Sequence, residues 1–152
     1  MTPFFQFETD FVDALRCIPM VVRLKLDTCG VKLKLSHWHQ LSLAERQALV
    51  DAPCDTAAAI AAYRDLVHGY VLQHGSVPPK DLPILDPLPW EIKTTVPLQV
   101  QDQGQLVGVV VSLEQWQGLS ALQRFALLKL SQPGHENRNF LPACQEFGIT
   151  EA

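Results

Sequence analysis

Five cationic side chains, Arg16, Arg23, Lys25, Lys32 and Lys34, stand in the stretch RCIPMVVRLKLDTCGVKLK against the single anion Asp27, in a chain whose formal net charge is −4. Gathered ammonium and guanidinium groups steer and orient an anionic partner, either an acidic protein surface or a phosphate. The competing reading is a solvated helix face that carries charge only for solubility. A second polar group, His135, Glu136 and Arg138, lies in SQPGHENRNF. It reads as a recognition loop, with Asn139 expected to cap the last helix and tie it to the one before.

Cys17, Cys29 and Cys54, with His37 or His39, are the residues that could hold a metal or pass electrons. Their spacing argues against it. The four cysteines, with Cys144, form no Cys-X-X-Cys pair, and dispersed cysteines suit neither a structural zinc nor an iron–sulfur cluster. His37 and His39 bracket Trp38, and on a helical turn two residues that far apart point in nearly opposite directions. The chain also lacks a glycine-rich phosphate loop, a Gly-X-Ser-X-Gly elbow and a paired-carboxylate motif. The expectation is a binding protein, with no catalytic residues, no metal and no cofactor of its own.

The elements that must position these residues emerge from an internal repeat. Shifting the sequence by 78 positions aligns residues 18–49 with 96–127 without a gap. Identities fall at Pro19/Pro97, Val22/Val100, Gly30/Gly108, Val31/Val109, Leu35/Leu113, Trp38/Trp116, Leu41/Leu119, Ser42/Ser120, Arg46/Arg124, Ala48/Ala126 and Leu49/Leu127. That is 11 of 32 positions, where unrelated sequences of average composition share about two.

Proline opens helices and glycine closes them, so Pro19 and Gly30 bracket a helix. The alternation of Val22, Leu24 and Leu26 with Arg23 and Lys25 also suits a strand, with Val31, Leu33 and Leu35 as its hairpin partner. The second copy disfavours the strand, because QVQDQGQ at 99–105 is poor in β-formers. A short Trp-bearing turn follows in each copy. Ser42 with Glu45 and Ser120 with Gln123 then read as capping boxes, opening helices over 43–51 and 121–131 that stop before Pro53 and Pro133. A longer helix runs from Ala57 to His74, opened by Asp55-Thr56 and closed by Gly75. The proline-rich span 75–97 is a semi-rigid connector pinned by Trp90. The fold expected is all-α: one helical domain over 1–152, built from two helical repeats and a connector, with a minor β-hairpin as the open variant.

Residues that bear structure should recur in both copies, and specialised chemistry should appear in one. Arg23, Lys25, Lys32, Lys34 and Cys29 face Gln101, Gln103, Val110, Ser112 and Val107. The cationic cluster is therefore an addition to the first copy. With 47% hydrophobic and 18% charged residues the chain is an ordinary folded protein. Its acidity argues against a nucleic-acid partner. No apolar run approaches membrane-spanning length and the first residues do not read as a signal peptide, so a cytoplasmic location is expected.

The run RCIPMVVRLKLDTCGVKL, the pairs His37-Trp38 and Glu45-Arg46, and QRFALLKLSQPGHENRNFLPACQEFG at 123–148 resemble the nitrate reductase-associated protein family of cyanobacteria, the NarM type. The resemblance covers almost the whole chain. It implies a small cytoplasmic protein, not itself a reductase, that is needed for assimilatory nitrate reductase activity. The implied role is an accessory or maturation factor for a molybdopterin- and iron–sulfur-containing enzyme, whose partner is the nitrate reductase polypeptide or the molybdenum cofactor in transit. The alternative is a small Cys/His protein that handles redox equivalents, a metal or a cofactor for that reductase. A third possibility is a subunit that covers an exposed apolar patch on the enzyme.

Overall fold

A computed structural model of the chain describes residues 3–151, with the side chains of Phe11, Asp13 and His135 outside the description. The protein is all-α, with one very small sheet. The helices are α1 Thr9–Val12, α2 Met20–Cys29, α3 Leu35–Gln40, α4 Leu43–Asp51, α5 Ala57–His74, α6 Leu98–Leu106, α7 Leu113–Gly118, α8 Ala121–Leu130 and α9 Phe140–Glu146. Strands β1 Val31–Lys32 and β2 Lys80–Asp81 pair antiparallel, Val31 opposite Asp81 and Lys32 opposite Lys80. Among the described residues no helix is long and apolar enough to cross a membrane.

Packing divides the described residues into two compact units, one formed by residues 3–4 and Glu8–Leu85, the other by Phe5–Phe7 and residues 86–151. In the first, α2 packs on α5 and α4 around Val22, Trp38, Leu49, Tyr63 and Val67, all essentially inaccessible to solvent. The helix expected between Pro19 and Gly30 is α2, and the hairpin of 22–26 with 31–35 does not form. The ribbon that does form takes its second strand from residues 80–81.

Helix ends in this unit are closed by side chains from a distance. Glu8, 1% exposed, accepts the Met20 N–H at 3.0 Å, setting a carboxylate against the positive end of the α2 dipole. The Leu15 carbonyl accepts the Trp38 indole N–H at 2.7 Å and an Arg46 N–H at 3.1 Å. To present it, Ala14 and Leu15 adopt positive φ values of 58° and 55°, a left-handed conformation that costs an L-residue roughly 1–2 kcal/mol.

In the second unit, α8 is buried along most of its length through Arg124, Phe125, Ala126, Leu127, Leu128 and Leu130. It packs against α9, α6 and the short 3₁₀ turn Pro89–Glu91. Trp90 meets Phe125 edge-on, ring centroids 5.1 Å apart at 86°, a favoured aromatic geometry. Gly104 lies inside α6 because a Cβ there would stand 2.5 Å from the Val109 carbonyl oxygen; the Val109 N–H donates to the Gly104 carbonyl at 2.8 Å.

The two capping boxes at Ser42/Glu45 and Ser120/Gln123 are present, and Thr56 caps α5. The Trp-bearing turns are helices α3 and α7, and α7 has its own capping box of Ser112 with Gln115. Asn139 stands at the N-terminus of α9 but makes no side-chain cap bond. The tie to the preceding helix is made instead by Asn137, which accepts the Gly134 N–H at 3.0 Å and donates to the Leu130 and Gln132 carbonyls at 2.8 and 2.5 Å.

Candidate partner-binding surface

The sequence-predicted cations divide by what their heads touch. Lys25 is spent inside the first unit. Its Nζ donates to the Val50 and Ala52 carbonyls, both at 2.7 Å, closing the C-terminus of α4 where a cation is favoured, and lies 5.8 Å from the centre of the Tyr63 ring. Burial lowers its pKa, and the neighbouring Cys54, Asp51 and Asp55 oppose that shift. Arg23 is half-buried, with Nη1 3.9 Å from the Met20 sulfur.

Arg16, Lys32 and Lys34 are exposed. Two histidines organise the backbone around them. The His37 Nδ1 accepts the Lys34 N–H at 3.1 Å, so His37 closes α3 as a Gln or Glu does in a capping box. Its pKa is lowered by burial and then by the Lys34 charge. His39 Nε2 lies 3.0 Å from the Arg16 carbonyl oxygen, which only the Nε2–H form can satisfy. The His-X-His pair thus serves the backbone of the cationic segment.

The ribbon adds a cation that the sequence reading missed. Lys80 is exposed on β2 directly opposite Lys32, where like charges repel. Alternation puts Val31 and Leu33 inward and Lys32 and Lys34 outward. Lys32, Lys34 and Lys80 therefore share one exposed region, and none of their ammonium groups has a hydrogen-bond or ion-pair partner among the described residues. Asp81, the ribbon's anion, is held by Arg64 at 2.5 Å. That hydrogen bond, with the guanidinium charge, holds its carboxyl below the usual range. Arg64 also donates to the Cys29 and Gly30 carbonyls at 3.3 and 3.2 Å.

The cysteines are free thiols. Burial pushes Cys29 up to about 11, helped by nearby Cys54, and raises Cys54 as well; Cys144, in the other unit, is likewise raised by burial to about 11. Raised thiols are poor nucleophiles and poor metal ligands. Among the described residues no group of three or more His, Cys, Asp or Glu is arranged to hold a metal ion. In the second unit Glu136 is half-buried and Arg138 exposed in the 3₁₀ turn His135–Asn139. The His135 side chain lies outside the described residues.

No curated protein and no solved structure matches the chain significantly. Residues 4–147 do match a family, described as conserved nitrate reductase-associated protein, and the chain belongs to that family.

Proposed function

We propose that the protein is a non-catalytic accessory or maturation factor for assimilatory nitrate reductase, which binds the enzyme or its cofactor-loading intermediate through the lysine ribbon of the first unit. The observation that carries this reading is the like-charged cross-strand pair Lys32 and Lys80, extended by Lys34. Three ammonium groups kept together without an internal counter-ion gain from an external carboxylate surface. Arg16, at the other end of the same segment, adds a fourth charge. Lysine rather than arginine fits distributed carboxylates better than bidentate capture of one phosphate. Glu136 and Arg138 are proposed as a second contact.

The test is co-purification of the tagged protein with the nitrate reductase polypeptide, at low and high salt, with metals assayed on the same samples. Lys25 and Arg23 are unsuitable targets because the fold uses or half-buries them; Lys32→Glu with Lys34→Glu and Lys80→Glu leaves the core untouched. The expected outcome is salt-sensitive capture that the triple variant loses. Capture of equal strength by wild type and variant would defeat the electrostatic reading.

A further inference from the structure

The segments that follow α2 and α6 are treated differently. After α2, Gly30 turns the chain at φ 75° and β1 is strapped by residues 80–84 of the same unit. The Leu82 N–H donates to the Gly30 carbonyl at 2.8 Å. Ile84 lies over the glycine, so that a Cβ at Gly30 would meet the Ile84 side chain at 2.8 Å and the Leu82 oxygen at 2.9 Å.

After α6, Gly108 turns the chain at a matching φ of 74°, and nothing lies within 4 Å of where its Cβ would be. Val109 and Val111 point inward while Val110 is 85% exposed, the alternation of a strand. Among the described residues the Gly108 carbonyl and the backbone groups of Val110 have no hydrogen-bond partner. Leu106, at the end of α6, is 80% exposed. The second unit thus carries a segment with strand-like alternation and the glycine seat, without a strap.

We propose that residues 106–111 are a docking site for an extended segment of a partner polypeptide, which pairs with the Val110 backbone as β2 pairs with β1 and seats an aliphatic side chain over Gly108. The resident strap defines the occupant: a donor N–H for the glycine carbonyl, and a leucine or isoleucine two residues later. Charge adds a further requirement. Residues 98–123 contain Asp102 and Glu114 and no Lys or Arg, so the fitting segment is uncharged or basic. Strand addition draws affinity from main-chain bonds and specificity from alternate side-chain seats. The inference is independent of the lysine ribbon, which lies on the other unit and selects an acidic partner.

The probe is a fluorescein-labelled peptide, PKKLPIL, equal to residues 79–85 with Asp81 replaced by Lys. It is titrated into the full-length protein by anisotropy, with backbone amide shifts followed by NMR. Saturable binding with a dissociation constant below about 1 mM, with shifts confined to 106–111, is the expected result. Val110→Pro, which removes the backbone N–H that the segment would pair with, should weaken binding about tenfold or more, as should N-methylation of the peptide leucine that faces Gly108. No saturable binding, shifts at 30–34 instead, or equal affinity for the variant or the methylated peptide would each overturn the proposal.

Discussion

Each unit builds a corner around one tryptophan and one arginine, and the two corners are made differently. In the first, Trp38 and Arg46 both donate to the Leu15 carbonyl, and Arg46 also reaches the Trp38 and His39 carbonyls at 3.0 and 3.1 Å. In the second, the Trp116 indole donates to the Ile92 carbonyl at 2.9 Å, while Arg124 donates to the Trp90 carbonyl at 2.6 Å and to the Leu119 carbonyl. Arg46 is half-buried and Arg124 is 2% exposed. Both arginines satisfy carbonyls, which is scaffolding. What differs between the units lies outside these corners: Lys32 on a strapped strand in one, Val110 in an unstrapped segment in the other.

The arginines offer the largest test of that comparison. Arg124→Leu strands two carbonyls in a dry interior and should cost about 3 kcal/mol, whereas water can replace much of what Arg46→Leu removes, at about 1–2 kcal/mol. Chemical denaturation of both variants measures the difference. Equal costs would mean that the two corners are not energetically distinct.

The glycines sharpen the comparison further. Gly30→Ala and Gly108→Ala share a left-handed strain of roughly 1–2 kcal/mol. Only the first also collides with Ile84 and Leu82. Its unfolding midpoint should therefore fall clearly below that of Gly108→Ala, and a reversed order would break the assignment of an unstrapped seat at Gly108.

The smallest effect concerns acid. Glu45 and Gln123 stand at equivalent capping positions, but only Glu45 titrates. The Ser42 N–H, and then His74 at 2.8 Å, hold its carboxyl below the ordinary 4.5. A depressed folded pKa contributes stability that is present above pH 4.5 and lost as pH falls through the lower folded value. Glu45→Gln should flatten that part of the acid dependence, and Gln123→Glu should introduce an acid-sensitive increment into the second unit. Thermal melts between pH 3 and 6 read both changes.

Much of the helical framework was legible because its signals are local. Pro19, Gly30, Ser42 with Glu45, and Thr56 set the bounds of α2, α4 and α5 within a few residues of chain. The short helices α3 and α7 were read as turns, since six residues give little periodicity; Ser112 with Gln115 was the available signal for α7. The site was less legible because its makers are distant in sequence. Lys25 looked like a surface charge until α4 supplied two carbonyls to its head. Lys80 joins Lys32 only through a strand register that no local pattern encodes. The exchange of Asn139 for Asn137 depended on how the 134–139 turn folds back on α8.

The left-handed pair Ala14–Leu15 has a consequence for the order in which the chain becomes native. Its cost is offset only when the Leu15 carbonyl has its two donors, and these lie 23 and 31 residues further along. During synthesis the N-terminal segment leaves the ribosome first, yet it gains no stable corner until Arg46 has followed. Its amides should accordingly gain protection from hydrogen exchange together with α3 and α4 rather than before them.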